Sequence, residues 1–550
     1  MQAATASRPV CRIPLLSLPG ESLNILDHGA SLCKYRLIHC DQYIENEMLT
    51  ICEFDELPAK QYCAISYIWR GKPIDGTEGS RGAFNVKGAE DGDPMSLDVL
   101  FHACIASLKK KVHYLWVDRL CIIQTSRNDK MWQIRSMYKI YKECALCLVL
   151  PGGIGRLVGL SEETEWIQRA WTLQEVMAPD DAMALFKWEN GDGWFHGPVA
   201  HGDLEVVIRG ESAMADVIDL CLPYLGGVMG GQTYFVRDDD ETDNDSQPTQ
   251  VRIKMEPILF GREPSHVLAL LGVLWGRDAD PVTPQAIWRS ALMRVSSRPV
   301  DMVFSIMGLF DVSLDPNAFP DPNDRLGVTI ALAQEILRKG GNASWLVASL
   351  QVPPEKRLST FPMFPETKVD GKARVRVAGE LKELAKVVDD EFLRLWSVRE
   401  GPKGGHMDNM GYLTFSSKII EVRPIQLHEA RKDGCHFDQS PAGRRVFMEA
   451  LDATVWEAVS KSFRSIDSSA SSTFKQRTFA VYLGMALTNP YASQPTFHRY
   501  METHTYLASI IQEHSPDCFH RTTNMILCHC FENFINTWEE REVCIGSEMH

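Results

Sequence analysis

The sequence predicts an α/β fold, with a parallel sheet in residues 61–185 and mixed α/β to mainly α regions after it. In that stretch, short apolar segments rich in aromatic and β-branched residues alternate three times with segments of helical periodicity. Each intervening helix carries the chain back over the sheet, so the strands it joins pair in parallel. The 550 residues give room for about two to four domains, each with its own core.

Three apolar runs are the predicted strands of this sheet. They cover residues 61–69, 112–117 and 144–150, and the third ends at a Pro-Gly-Gly sequence. Ligands of parallel sheets bind beyond the carboxyl ends of the strands, here near Trp69, Asp118 and Pro151. The expected core residues of the strands are Tyr62, Ala64, Leu115, Val117, Leu148 and Leu150.

Each predicted strand is followed by a helix with an N-terminal capping signal. Ser96 precedes apolar residues at helical spacing, and Ser126 with Asp129 resembles a capping box. Ser161 precedes two glutamates, which favour the positive end of a helix dipole. We therefore expect helices to begin directly after these three serines.

Changes in composition and the positions of turn-forming residues divide the chain into five predicted segments. The stretch 237–250 is acidic and nearly free of hydrophobic residues, so we expect a mobile loop there. In the last segment, alternation near Val375 and in 412–422 predicts strands, and helices are expected from there to the end. The segments are an N-terminal part (1–60), the alternating domain (61–185), an extension (186–255), a helical region (256–340) and a region of unassigned function (341–550).

Charge and hydropathy argue against several functional classes. The net charge of −15 disfavours nucleic-acid binding, which requires a basic face. The longest uncharged apolar run is about half of a membrane-spanning helix. The first 21 residues show no pattern of a secretory signal peptide. Because no such signal is seen, we expect the 15 cysteines to be reduced thiols, most of them buried. We expect a cytoplasmic protein without a membrane span.

Three sequence motifs lie in order within the alternating domain. They read YCAISYIW at residues 62–69, WVDRLCIIQ at 116–124 and RAWTLQE at 169–175. Together they resemble the motifs of the fungal heterokaryon incompatibility (HET) domain. Arg70 stands where that family usually has Gly, and Ile123 replaces its usual Asn in a loop expected to face the ligand crevice.

The resemblance implies a fungal nonself-recognition protein whose activation kills fused cells that differ genetically. HET domains are regarded as distant relatives of Toll/interleukin-1 receptor (TIR) domains, which have a flavodoxin-like parallel sheet. Some TIR domains hydrolyse NAD through a glutamate four residues after a tryptophan, and Trp171 and Glu175 have that spacing. The resemblance thus implies Glu175 as a catalytic residue, NAD as a possible substrate and no cofactor. The alternative is a non-enzymatic module that works as a homo-oligomer or with a protein partner.

The proposed reaction explains why a carboxylate and an indole would be needed. Cleavage of the nicotinamide–ribose bond develops positive charge on the ribose, which a carboxylate stabilises. Trp171 and Glu175 lie one helical turn apart, so an indole can stack on a ring beside the carboxylate. Strand and loop residues expected to line the same crevice are Ser66, Tyr67, Trp69 and Asp118.

Structural roles compete with these assignments. Glu175 could pair with Arg169 or cap a backbone amide, and Asp118 could cap the next turn or pair with Arg119 or Arg127. Aromatic residues on strands are more often core residues than ligand contacts.

Other reactive patterns favour structural interpretations. Cys121 with His113 could form a nucleophile pair, but their separation gives no evident hydrogen-bond geometry. Cys144 and Cys147 have a metal-ligand spacing without a second pair, and the glycines after the third strand are better explained by a turn than by a dinucleotide loop. No P-loop motif occurs, and zinc is only weakly supported by a C-terminal cluster of Cys518, His520, Cys528, His529 and Cys530.

Overall fold

The computed structural model places most of the chain in strands and helices. It describes residues 7–74, 81–197, 201–228, 232–238, 250–274, 284–367, 371–377, 379–388, 397–399, 402, 404–426, 445–459, 477–487 and 504–547.

The strands in the first half of the chain are β1 (Arg8–Pro14), β2 (Ser22–Leu23), β3 (Tyr35–His39), β4 (Met48–Phe54), β5 (Tyr62–Tyr67), β6 (Ala83–Val86), β7 (Met95–Ser96), β8 (Tyr114–Trp116), β9 (Leu146–Leu150), β10 (Ala182–Lys187), β11 (Gly193–His196), β12 (His201–Ile208), β13 (Ser212–Asp216), β14 (Thr233–Asp238) and β15 (Gln250–Met255). Those in the second half are β16 (Arg374–Val377), β17 (Glu380–Glu383), β18 (Ser397–Arg399), β19 (His406–Met407), β20 (Leu413–Ile425), β21 (Phe447–Glu449), β22 (Val455–Ala458), β23 (Thr478–Leu487), β24 (His504–Ser515), β25 (Cys518–Cys528) and β26 (Glu539–Ile545).

The α-helices are α1 (Cys40–Glu45), α2 (Leu97–Lys109), α3 (Asp118–Cys121), α4 (Arg127–Glu143), α5 (Ala170–Met177), α6 (Val217–Val228), α7 (Pro264–Leu274), α8 (Pro284–Leu292), α9 (Asp301–Met307), α10 (Arg325–Arg338) and α11 (Glu532–Ile535).

The chain forms two compact units. The first comprises residues 1–275 and 304–322, and the second comprises residues 276–303 and 323–550. The five segments predicted from composition therefore stay predictions, because the units are built from stretches that those boundaries cut across.

The centre of the first unit is a parallel sheet. Strand β5 pairs in parallel with β8 on one side and with β9 on the other, and β9 pairs in parallel with β10. In the order of the chain, these four strands are arranged 2-1-3-4. The predicted parallel pairing of the three strands is confirmed. The six residues expected at its core are all buried, at 1% exposure or less.

Antiparallel strands extend this centre on both sides into a twelve-stranded mixed sheet. Strand β3 pairs with β8 and brings β4 and β1 with it, so the N-terminal part of the chain completes one flank. On the other flank, β13 pairs with β10 and is followed by β12, β11, β14 and β15. The sheet is thus mixed and not parallel throughout. Strands β14 and β15 pair as a hairpin, and residues 239–249 of the predicted acidic loop lie outside the described residues.

Two of the three predicted helix starts are confirmed. The Ser96 hydroxyl accepts a hydrogen bond from the backbone N–H of Val99, and the Ser126 hydroxyl accepts one from that of Asp129. These are the bonds expected of N-cap residues.

The third helix does not begin after Ser161, as predicted, but at Ala170. The carboxylate of Glu162 accepts hydrogen bonds from the Arg156 guanidinium and from the backbone N–H of Gly159. Its negative charge is therefore bound in a turn and does not complement a helix N-terminus. The expectation for this helix start is wrong.

A buried ion pair fixes the loop that follows β8. The Arg36 guanidinium donates two hydrogen bonds to the Asp129 carboxylate, with N–O distances of 2.9 and 3.1 Å, and both side chains are fully buried. The same carboxylate accepts hydrogen bonds from the backbone N–H groups of Cys33 and Ile123. Ile123 is itself buried in the hydrophobic core, so it does not face a ligand crevice as expected.

The second unit contains a nine-stranded sheet as well as helices, so of the predicted mixed α/β to mainly α character the mixed α/β part holds and the mainly α part is wrong. The main path of the sheet runs β18-β23-β24-β25-β26-β20-β22-β21, and β19 adds to β20. The strands predicted near Val375 and in 412–422 are confirmed as β16 and β20. The helices expected after them are wrong, because β24 and β25 form a long antiparallel pair there. Six consecutive residues of β24, 506–511, are buried, and burial on both faces erases the alternation that marks a strand.

Candidate functional site

Five of the six predicted site residues meet where the central parallel strands end. Ser66 and Tyr67 close strand β5, and Trp69 follows them. Asp118 comes two residues after β8, at the start of α3, and Glu175 lies in α5. Ser66 contacts Glu175, whereas Tyr67 and Trp69 both contact Asp118. The sequence therefore identified a real cluster of polar side chains.

Glu175 is held in place from the strand by a short chain of hydrogen bonds. The Ser66 hydroxyl donates to Oε2 of Glu175 over 2.5 Å, and the indole N–H of Trp166 donates to the Ser66 hydroxyl over 2.9 Å. Ser66 and Trp166 are fully buried, while Glu175 is half-buried. The arrangement places a carboxylate of fixed orientation at the carboxyl end of the central strand β5.

Trp171 lies on the same side of α5 as Glu175. Both residues are half-buried, one helical turn apart, whereas the intervening residues 172–174 are buried. Trp166, and not Trp171, is the indole buried in this part of the core. Trp171 is therefore placed where its ring can meet a molecule that reaches Glu175.

Asp118 is bound by three donors. The Tyr67 hydroxyl donates to Oδ1 over 2.6 Å, the Trp69 indole N–H donates to Oδ2 over 2.7 Å, and the backbone N–H of Arg119 donates to Oδ1 over 2.6 Å. Burial raises the pKa of the Asp118 carboxyl, and the hydrogen bonds from Tyr67 and Trp69 oppose that rise. This carboxylate stabilises the loops around it.

The Arg119 side chain contacts the loops around the same region. Its guanidinium is buried, donates to the backbone oxygens of Asp93 and Ala89, and lies 5.6 Å from the centroid of the Trp69 ring. Arg119 thereby fixes the loop at residues 89–93 and contacts the Trp69 ring through a cation–π interaction.

Replacing Tyr67 by Phe should destabilise the protein in a way that depends on pH. The change removes a hydrogen bond to a half-buried carboxylate, so we expect a loss of about 1.5–3 kcal/mol in the free energy of unfolding. Without this donor the pKa of Asp118 rises further. The loss should therefore be largest when Asp118 is ionised in the native state and should shrink as the pH falls through its folded-state pKa. Urea unfolding at several pH values measures both effects.

Tyr43→Phe is the matched control, because the buried Tyr43 hydroxyl donates to the uncharged backbone oxygen of Leu97. Its cost should be about 1 kcal/mol and should not change with pH. Parallel pH dependence in the two variants would contradict the assigned role of Tyr67.

The loops that follow β5 and β9 are packed directly against each other. A Cβ atom on Gly71 would lie 2.0 Å from the backbone oxygen of Gly152, and that oxygen accepts a hydrogen bond from the Lys72 N–H. Gly153 has a φ of +90°, which only glycine adopts without strain. The glycine-rich segment after β9 is thus a turn, as predicted, and backbone fills the space between these two strand ends.

Sequence reasoning missed Trp166 and Gly71. Trp166 lies three residues before the third motif. Its indole N–H needs a hydrogen-bond acceptor when it is buried, and this requirement is the signal by which the sequence could have indicated a polar partner. Gly71 stands two residues after the first motif, and nothing in the sequence alone indicates how closely it approaches Gly152.

The alternative reactive sites are not assembled. Cys121 is buried, and burial raises the pKa of its thiol to about 12, while His113 is exposed with its Nδ1 atom 2.9 Å from Asp41. Cys144 and Cys147 are buried thiols of the core. These residues do not form a nucleophile pair or a redox pair at the surface.

No metal centre forms within the described parts of the chain, where no group of three or more His, Cys, Asp or Glu side chains could hold an ion. In the C-terminal cysteine cluster, Cys528 and Cys530 are joined by a disulfide. This pair is an exception to the expectation of reduced thiols, whereas the other described cysteines are free and most of them are buried.

The fold and the site define an α/β unit with a fixed carboxylate beyond the carboxyl ends of its central parallel strands. Residues 62–157 match the family described as heterokaryon incompatibility protein (HET), which supports the HET family for this part of the chain and fits a role in heterokaryon incompatibility. This range contains the first two motifs and ends before the third. No curated protein and no solved structure matches the chain. Among the described residues, no helix has the length and apolar composition needed to cross a bilayer.

Proposed function

We propose that this chain is a cytoplasmic fungal nonself-recognition protein that signals or executes cell death, and that its first unit hydrolyses NAD. The observation that carries the enzymatic part is the half-buried Glu175 carboxylate, which Ser66 holds at the end of a central parallel strand. The strand order 2-1-3-4 is that of flavodoxin-like sheets, whose ligands bind at this end. A TIR-like domain is the corresponding proposal for the fold.

In the proposed reaction, the bond between the nicotinamide nitrogen and the ribose carbon breaks. Nicotinamide leaves with the bonding electrons, and water supplies the hydroxyl group that the ribose carbon gains and releases its other proton to the solvent. Glu175 stabilises the positive charge that develops on the ribose, and Trp171 provides a stacking surface one turn away. Because nicotinamide leaves from a cationic ring, one carboxylate can suffice and neither cofactor nor metal is required.

Ser66 and Trp166 act as positioning residues in this proposal. Their two hydrogen bonds lead from the core to Glu175 and restrict its rotamer before a substrate arrives. A fixed carboxylate stabilises developing charge without the cost of reorganising at the moment of reaction.

A second candidate function is assembly without catalysis. It is favoured by Asp118, whose two carboxylate oxygens are occupied by protein donors, and by the packing of Gly71 on Gly152. Under this proposal Tyr67, Trp69 and Asp118 shape a rigid surface, and the protein signals as a homo-oligomer or with an incompatibility partner.

Nicotinamide release and particle size, measured on the same purified full-length chain, distinguish these functions. The enzyme proposal expects nicotinamide to form in step with NAD loss, and turnover per chain to rise if oligomers are the active form. The assembly proposal expects light scattering to show oligomers with no NAD consumed at any protein concentration. A folded oligomer without turnover excludes the enzyme, and a monomer with turnover excludes assembly as the requirement for function.

A further inference from the structure

Two cysteines of the second unit face each other across neighbouring strands. Strands β25 and β26 run in parallel, and Cys518 is the register partner of Cys544. Each side chain is half-buried and each thiol is free, and directly paired residues of parallel strands carry their side chains on the same face of the sheet. Neighbouring strands are about 4.8 Å apart, within the separation of roughly 4.4–6.8 Å between Cα atoms that a disulfide spans. The two sulfurs can therefore bond without moving either strand far.

Exposure separates this pair from another pair of neighbouring thiols. Cys40 and Cys104 also lie close together, but both are fully buried in the first unit. A thiol must be reached by an oxidant before it can react. Cys518 follows directly on the exposed turn at Pro516 and Asp517, so a small oxidant has access to it.

The two strands are joined over a short length. Strand β26 pairs with β20 over seven residue pairs, but β25 and β26 share only two, at Cys518–Cys544 and Phe519–Ile545. A covalent bond at the first of these pairs would reinforce the shortest junction in the middle of this sheet. Its formation should therefore change how easily β26 separates from β25.

We propose that Cys518 and Cys544 form a reversible oxidation site that takes a peroxide as its co-reactant. The thiolate of one cysteine attacks a peroxide oxygen and breaks the O–O bond. The cysteine becomes a sulfenic acid, and when the peroxide is hydrogen peroxide, the other oxygen leaves as water. The second thiol then attacks that sulfur and displaces the hydroxyl group as a second water. The two cysteines together lose two electrons and two protons, and the peroxide gains both. A dithiol reductant reverses the change by thiol–disulfide exchange. This site is independent of the function proposed for the first unit.

The experiment uses the full-length chain, reduced with dithiothreitol, desalted and exposed to a few equivalents of hydrogen peroxide, because the half-buried Cys528–Cys530 pair is reduced as well and also consumes oxidant. After denaturation, the remaining thiols are alkylated, and the digest is analysed by mass spectrometry without reduction. We expect a linked peptide that contains Cys518 and Cys544 and is about 2 Da lighter than its two separate peptides. Cross-linking of this pair should exceed that of Cys40 and Cys104 at least about tenfold, because burial excludes the oxidant from the latter.

Hydrogen exchange gives a second measurement that does not depend on the digest. Oxidation should slow exchange of the β26 amide groups in the wild type and should leave them unchanged in Cys544→Ser, which folds with a hydroxyl of similar size. Two results overturn the proposal. One is complete alkylation of both cysteines after peroxide treatment, and the other is their separate conversion to sulfinic acids without a linked peptide.

Discussion

Replacing Glu175 by Gln is expected to lower NAD cleavage by the full-length chain at least about a hundredfold, the effect of losing one strong electrostatic contribution. The Gln side chain has nearly the same shape, and its amide oxygen can still accept the hydrogen bond from Ser66. The fold and the oligomeric state should therefore stay as in the wild type. Nicotinamide release at saturating NAD, with circular dichroism and light scattering on the same samples, measures the effect.

Three further variants make this result interpretable. Glu165→Gln, which removes an exposed carboxylate close to Trp166, should retain wild-type turnover. Glu175→Asp should be impaired as well, because about 1 Å of displacement can cost a hundredfold. Ser66→Ala should reduce turnover less than Glu175→Gln, since it removes one hydrogen bond to the carboxylate and leaves the carboxylate itself in place. Equal turnover in Glu175→Gln and the wild type would exclude Glu175 as the catalytic residue.

Replacing Asp129 by Ala is expected to destabilise the first unit by about 3 kcal/mol, the lower end of the cost of breaking a buried ion pair, because Arg36 keeps the carboxylate of Glu53 as a second partner. Arg36 would keep its hydrogen bonds to the Glu53 carboxylate and to the backbone oxygens of Cys121 and Ser31 but would lose both of its bonds to Asp129. The N–H groups of Cys33 and Ile123 would also lose their acceptor. Hydrogen exchange of the β3 and α4 amide groups, with urea unfolding of the same protein, measures the loss.

The control is Asp55→Asn, which alters the exposed ion pair with Lys34 and should leave stability nearly unchanged. The double variant Arg36→Met with Asp129→Leu should recover part of the loss, because it removes both charges of the buried pair, while the buried carboxylate of Glu53 keeps its ion pair with Arg8. A cost for Asp129→Ala no larger than that for Asp55→Asn would show that the buried pair does not stabilise this loop.

The central sheet could be predicted because its signals are local. Strand β5 is a compact apolar run between polar residues, and Ser96 and Ser126 bind the backbone N–H groups of their own helices. The grouping of the site residues could be predicted from the same elements, because the carboxyl ends of parallel strands lie at the same end of a sheet. These residues are Ser66, Tyr67, Trp69, Asp118 and Glu175.

What could not be predicted depends on contacts between residues far apart in the chain. The sequence around β3 does not indicate that it pairs with β8, about 75 residues later, because the side-chain pattern of a strand does not identify its pairing partner. The fully buried stretch of β24 has the continuous apolar character that a buried helix also has. Glu162 was expected to begin a helix and instead binds Arg156, a choice that only the folded turn decides.

The pairing of β8 with β3 and of β9 with β10 bears on any attempt to isolate the family-matching segment. Residues 62–157 contain β5, β8 and β9, but β3 and β10 lie outside that range. A fragment cut at these limits would present two bare strand edges, with unpaired backbone donors and acceptors that invite other chains to add to them. Aggregates of such a fragment would report on its severed edges and could be mistaken for signalling assemblies. The smallest meaningful expression unit therefore reaches from at least β3 to β10, with enough of each flank to cover both edges.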